Sequence, residues 1–206
     1  MFITLEGVEG SGKTTVARGL VEILEDNGFD VLYTREPGGN KIAEAIRDVV
    51  LDTSNTDMDV RTEALLYAAA RRQHLVDVIE PAIKVQKIVI CDRFVDSSIA
   101  YQGYARNIGP ELVEYINDFA IAGKRPDLTF LIDVKPEIGL KRIAIDKNRE
   151  VNRLDLEDFE FHQSVYAGYQ ELAEKYKDRI KIIDGERKVV EIVADIYQMI
   201  KSRIII

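Results

Sequence analysis

Five short apolar runs, at 2–6, 31–34, 88–92, 128–134 and 180–184, recur along the chain and are rich in Ile, Val and Leu. Runs of this length and composition read as strands covered on both faces, the pattern of a parallel sheet. Between them the apolar positions repeat every third or fourth residue, which predicts helices over 13–26, 42–51, 61–80, 110–123, 137–146, 156–176 and 189–203. Strand and helix therefore alternate. The expected architecture is α/β, a five-stranded parallel sheet flanked by helices, with ligands at the carboxyl ends of the strands. Internal repeats and long linkers are absent, so 1–206 reads as a single domain. Two polar stretches, 52–59 and 146–155, read as loops, and the second, with the end of the helix before it (about 143–155), is the candidate for a short lid.

The junction between the first strand and the first helix is the most specific segment. Gly7, Val8, Glu9, Gly10, Ser11, Gly12, Lys13 and Thr14 complete the pattern GxxxxGK[ST], with Thr15 following inside the helix. Glycines at these positions let the backbone turn so that its N–H groups converge on phosphate oxygens; Lys13 reaches the β and γ oxygens, and Thr14 offers a hydroxyl to Mg²⁺. A nucleotide triphosphate is the ligand this loop is built for, and Mg²⁺ its companion ion.

Three further constellations fall at strand ends or on helix faces. After the second strand, Arg35 and Glu36 precede a Pro37-Gly38-Gly39 turn, where Arg35 is either a phosphate binder or a surface side chain. The third strand ends in Cys91-Asp92-Arg93-Phe94, which brings a carboxylate and a guanidinium to the edge beside the loop. Asp92 is placed for a Mg²⁺ water or the acceptor, and Arg93 for a phosphate. On the helix over 61–80, Glu63, Tyr67 and Arg71 recur every fourth residue, so ring and guanidinium share a face that could hold a planar base or simply pack. His74 and His162 have no His or Cys at ligand spacing and read as helix-surface residues, while Cys91 reads as core filler.

Charge sharpens one of these readings. With 28 Lys and Arg against 36 Asp and Glu, the net charge of −8 argues against nucleic acid as a partner. The cluster Lys141, Arg142, Lys147, Arg149 and Arg153 then stands out, and either a solvated loop or a lid closing arginines over a transferring phosphoryl group fits it. One cysteine excludes an internal disulfide, and no apolar run is long enough for a membrane span. A soluble, unprocessed cytoplasmic protein is expected, with no membrane partner.

Taken together, these motifs resemble the thymidylate kinase family over essentially the whole chain. The stretch 90–102 (ICDRFVDSSIAYQ) is similar to the family signature, and 65–74 (LLYAAARRQH) to its thymine-binding helix. The resemblance implies a P-loop kinase fold and transfer of the γ-phosphoryl of ATP to dTMP, giving dTDP and ADP for dTTP synthesis, with Mg²⁺ as cofactor. It further implies that Tyr67 stacks on thymine, Arg71 donates to its O4 edge, Ser98 and Gln102 bond the base, and Tyr101 excludes a 2′-OH. Arg35 and Arg93 would hold the dTMP phosphate, with Glu36 beside them, and Thr14 and Asp92 the metal. Lys13, Arg93, Asp92, Glu9, Arg149 and Arg153 form the catalytic set. Gly10 and Ser11 stand where one group of the family carries a loop arginine, so this chain is similar to the bacterial-type group with arginines in the lid. Tyr67 replaces a usual Phe, and Phe94 a commoner Tyr or His. The family also implies a homodimer, for which the helices from Arg61 and Pro110 have apolar residues to spare. Against a regulatory nucleotide switch stand the lack of NKxD and DxxG motifs and the presence of a second anion pocket at Arg35 and Arg93.

Overall fold

The computed structural model describes residues 1–145 and 152–204. All five expected strands form: β1 (Phe2–Glu6), β2 (Val31–Arg35), β3 (Ile88–Asp92), β4 (Leu128–Asp133) and β5 (Ile180–Asp184). They lie in the order β2-β3-β1-β4-β5, every pair parallel. Helices α1 (Lys13–Asp26), α2 (Lys41–Leu51), α3 (Val60–His74), α4 (Glu80–Lys84), α5 (Val95–Ser98), α6 (Pro110–Ile121), α7 (Pro136–Ile145), α8 (Phe159–Lys175) and α9 (Val189–Ile204) connect and cover them.

Successive side chains of a strand point to opposite faces, and in the central strands β1, β3 and β4 both faces are buried, which is why these are mostly apolar, whereas the edge strands β2 and β5 are more exposed. Ile3, Leu5, Ile90 and Phe130 pack with Leu20 of α1 and Ile196 of α9. Phe2, Val89, Cys91 and Leu131 pack on the other face with Tyr67 of α3, Val113 of α6 and Val165 of α8. In register, Asp92 lies beside both Leu5 and Arg35, so β1, β2 and β3 deliver their last residues to one edge.

Two helices depart from the expected pattern. The long helix read over 61–80 does not run on as one α-helix: a π-helical stretch, Leu75–Ile79, joins α3 to α4. Pro81 has no N–H to give the carbonyl four residues back, so the ladder shifts register just before it. Beyond α5 a second π-helical stretch, Ile99–Ala105, carries Tyr101 and Gln102 inward, and both are buried. The sequence pattern predicts no helix there, because Asp96, Ser97, Ser98 and Gln102 are buried along with their apolar neighbours and leave no 3.6-residue apolar stripe.

Candidate active site

The phosphate loop closes around its own lysine. Lys13 Nζ donates to the carbonyls of Gly7 (3.1 Å) and Val8 (2.9 Å) and to Ser11 Oγ (3.3 Å). Burial, and then the nearby Arg93 guanidinium, pull its ammonium down to about 8, against the opposing carboxylates of Asp92, Glu9 and Glu6. Gly10, at φ 69°, sits so close to α7 that an added Cβ would lie 2.1 Å from the Gly139 carbonyl oxygen. Glycine is thus required twice there, for the left-handed turn and for the close approach. Gly12 caps α1, whose free N–H groups face the cavity mouth.

Beside the loop, Thr14 Oγ1 donates to Asp92 Oδ2 at 2.9 Å, which brings together the two residues expected to hold Mg²⁺. Hydroxyl and carboxylate oxygens suit this hard cation. Arg93 follows with a left-handed φ of 71°, unusual for a side chain of its size, and this turn throws the guanidinium back across the loop. Its Nη2 donates to Glu9 Oε1 (2.7 Å) and Tyr101 Oη (3.2 Å), and its Nη1 to the Gly7 carbonyl (3.1 Å), Ser97 Oγ (3.2 Å) and Tyr169 Oη (3.2 Å). Burial works against this charge, yet Glu9 and the ring hydroxyls hold Arg93 well above its ordinary value. Beneath it, Glu6 accepts from Phe94 N (2.8 Å), Ser97 Oγ (2.6 Å) and Tyr169 Oη (2.9 Å). Burial, with the nearby Asp96 carboxylate, pushes Glu6 up to about 7 despite those bonds.

Across the cavity, Arg71 is only 2% exposed. Its Nε donates to Glu36 Oε2 (2.7 Å), Nη1 to Ser98 Oγ (2.9 Å) and Asn117 Oδ1, and Nη2 to the Phe94 carbonyl (2.9 Å). Four of its five N–H groups are therefore engaged among the described residues, and one on Nη2 remains for a ligand. The Phe94 ring lies under the guanidinium, 5.2 Å from ring centroid to Cζ, so Phe94 supports Arg71 through both its face and its carbonyl. Tyr67 stands one helical turn before Arg71 and lines the same cavity, of about 500 Å³, that runs to Lys13, Thr14 and Asp92.

The thymidylate kinase family model matches residues 5–196, most of the chain. The chain belongs to the thymidylate kinase family. It is 55% identical to the thymidylate kinase of Clostridium novyi (strain NT) over 200 residues, which cover 97% of this chain and 98% of that one. With the thymidylate kinase of Halalkalibacterium halodurans it shares 54% identity over 203 residues, 98% of this chain and 97% of the relative. The crystal structure of thymidylate kinase from Ehrlichia chaffeensis has the same fold, with a TM-score of 0.80 at 35% identity over 98% of each chain. The sheet described above is thus the P-loop kinase fold.

In this member of the thymidylate kinase family, Glu9, Gly10, Gly12, Lys13, Thr14 and Thr15 reach one end of the cavity, with Asp92 and Arg93 beside them. Tyr67, Arg71, Ser98 and Gln102 also line that cavity, although they come from distant parts of the chain, and Tyr101 lies between, its hydroxyl 3.2 Å from both Glu9 Oε1 and Arg93 Nη2. Arg35 and Glu36 also line it. Arg35 is held on the rim by the Pro37 carbonyl (2.7 Å) and Glu44 (3.1 Å), and Glu36 is buried between Arg71 and His74. Arg153, expected among lid arginines over the phosphates, instead lies buried, donating to the Val50 carbonyl (3.0 Å) and to Glu63. A buried carboxylate outcompetes solvent for that guanidinium. Arg149 lies outside the described residues. His74 and His162 are both buried, contrary to the surface reading: His74 bridges Thr34 Oγ1 (2.7 Å) and Glu36 Oε1 (2.9 Å), and His162 packs edge-on against Phe161. Spacing alone missed this because both histidines share a helix face with buried residues. The atoms of Glu36, His74 and Cys91 lie within 4.8 Å of one another, but both imidazole nitrogens and the carboxylate are already engaged. Sequence reasoning did not find Glu6, Ser97 and Tyr169 beneath Arg93, or Arg142, which donates to the Gly185 carbonyl (3.3 Å) and lines the cavity near Gly10. Only Arg142 left a signal, as one cation of the basic cluster.

Proposed function

We propose that this chain transfers the γ-phosphoryl group of ATP to dTMP, giving dTDP and ADP, the step that feeds dTTP synthesis. The observation that carries the reading is the continuity of one cavity from the phosphate loop to the wall made by Tyr67 and Arg71. Arg93 lies between the loop residues and that wall, bonded to Glu9 of the loop and to Tyr101. The triphosphate sits on the loop amides and Lys13. Thymine lies on Tyr67, with its O4 toward the remaining Nη2 hydrogen of Arg71, and Tyr101 fills the space where a 2′-OH would go. An oxygen of the dTMP phosphate attacks the γ-phosphorus in line, the bond to the bridging β–γ oxygen breaks, and ADP departs with that electron pair. Positioning and charge neutralisation are the protein's contributions. Lys13 and Arg93 hold the equatorial oxygens, Arg35 the acceptor phosphate, Glu9 keeps Arg93 in place, and Arg149 belongs to the lid. Thr14 and Asp92 would hold Mg²⁺, which would supply charge neutralisation to the triphosphate.

No helix among the described residues is long and apolar enough to cross a membrane, and the reading includes a cytoplasmic setting. It also includes a homodimer. On α6, Leu112, Tyr115 and Phe119 expose 44%, 74% and 88% of their surface along one stripe, with Leu65 of α3 at 56%, a face suited to a second copy. The deciding test is an assay of ADP release across dTMP, dUMP, UMP, dCMP, AMP and GMP. The expected order of kcat/KM is dTMP, then dUMP within about tenfold to a few tens-fold, then the rest far behind. Preference for AMP, UMP or dCMP would leave only a generic nucleotide kinase.

A further inference from the structure

Glu63 is 1% exposed, yet it takes part in none of the chemistry described above. It stands one turn before Tyr67 and two before Arg71 on α3. Its Oε1 accepts from Gln102 Nε2 at 2.8 Å, and its Oε2 receives Arg153. Arg106 bridges it at 3.3 Å to Glu157. One carboxylate therefore ties together α3, the π-helical stretch that carries Gln102, and the 3₁₀ turn Arg153–Leu156, whose Leu154 lines the cavity.

The consequence concerns the Gln102 amide. A carboxylate facing two guanidinium groups offers only lone pairs, so the NH₂ end of Gln102 has to turn toward it. The carbonyl Oε1 accepts no bond from the described residues and is left for whatever enters the cavity that Gln102 lines. With the remaining Arg71 donor, the same cavity wall offers an acceptor and a donor. A thymine or uracil ring offers the complement, N3–H and O4. Cytosine offers the reverse, a bare N3 and an N4 amino group. We propose that Glu63 is a positioning residue for base choice: it locks the Gln102 amide with its carbonyl inward and so sets the wall to accept an imide edge. This rests on the reading of the cavity as a thymine nucleotide site.

The test uses the full-length protein and compares kcat/KM for dTMP and dCMP. Glu63→Gln removes the one-way acceptor while Arg153 keeps the Val50 carbonyl and Arg106 keeps Glu157. The dTMP-to-dCMP ratio should fall about tenfold or more, the size expected when a buried polar group loses its partner. KM for ATP should not move. Glu63→Asp, which retains a carboxylate, should restore part of the ratio. Gln102→Met, similar in volume and without the amide, should lower the ratio like Glu63→Gln. General loosening of the wall would instead depress both substrates alike. A measurement on the unaltered protein keeps the test independent of variant folding: the Gln102 side-chain NH₂ resonance, assigned by through-bond connectivity, should stay protected from exchange and shift little when dTMP is added. A large dTMP-dependent shift, or an unchanged ratio in folded Glu63→Gln, overturns the inference alone. A wild-type protein with no preference for dTMP over dCMP overturns the cavity reading and the inference with it.

Discussion

Lys13 holds its charge where water scarcely reaches, and that sets a pH dependence. Its folded value of about 8 lies below the ordinary 10.5, so between those limits the unfolded chain binds the extra proton and this group's contribution to stability rises with pH. Activity runs the other way. The ammonium that must meet the phosphates is lost above about 8, so kcat/KM for ATP should fall with a one-proton limb near that pH, while the limb in kcat moves upward because bound phosphate favours the charged lysine. A profile flat to pH 9.5, measured with a lysine-free coupling buffer, would contradict this. Lys13→Ala should cost roughly 10²- to 10³-fold in kcat, the loss seen when one charge-stabilising donor leaves a dry site. Glu6 titrates with the opposite sign. Its folded value, about 7, exceeds the ordinary 4.5, so the stability it contributes below 4.5 is lost as pH rises through 7. Glu6→Gln should therefore flatten the dependence of Tm on pH between 5 and 8, which thermal melts at the two ends will show.

At the scale of elements, α3 acts as a ruler. Three polar side chains four residues apart, Glu63, Tyr67 and Arg71, reach one wall because 3.6 residues make a turn. Arg71→Ala should lower dTMP use and leave Glu36, Ser98 and Asn117 without their shared partner, whereas Tyr101→Ala should narrow the gap between dUMP and UMP by opening space at the sugar. Steady-state kinetics with the three nucleotides separates the two effects. Arg153 belongs to this scale as well. Because it is tied to Glu63 and Val50, Arg153→Ala should destabilise the fold by about 1–3 kcal/mol, as for a buried partner removed, and raise KM for dTMP more than it lowers kcat. A fall in kcat with KM and Tm unchanged would return this arginine to the phosphates. The short helix α5 is anchored from the start of β5, where Arg179 donates to both oxygens of Asp96 at 2.7 and 2.8 Å, and so keeps Ser97 and Ser98 facing their partners.

For the whole molecule, the two-ended cavity implies that ATP turnover is small until a nucleoside monophosphate is present. Without an acceptor phosphate no nucleophile is positioned in line with the γ-phosphorus, so added dTMP should raise ADP release sharply. The exposed stripe on α6 is the other property of this scale. Phe119→Glu places a charge in the middle of it and should weaken self-association by about 10²-fold or more if Phe119 is a central anchor, as buried aromatic anchors do. Sedimentation equilibrium of the two proteins measures it directly.

Local chemistry made several parts of this protein legible in the linear chain. The five apolar runs foretell the sheet because a strand covered on both sides favours apolar residues at most of its positions. The loop at 7–14 announces phosphate because only glycines at those positions let the amides converge. The four-residue spacing of Tyr67 and Arg71 places both on one helix face without further information. What the chain could not reveal depends on partners distant in sequence. Arg153 looked like a free lid cation until the fold brought Glu63, ninety residues earlier, against it. His74 and His162 looked like surface residues until packing buried their faces. Glu6, Ser97 and Tyr169 acquire a role only where β1, α5 and α8 meet beneath Arg93. A motif carries its chemistry within a few neighbouring residues, whereas burial and the choice of charge partner arise from contacts that exist only after the sheet and its helices have assembled.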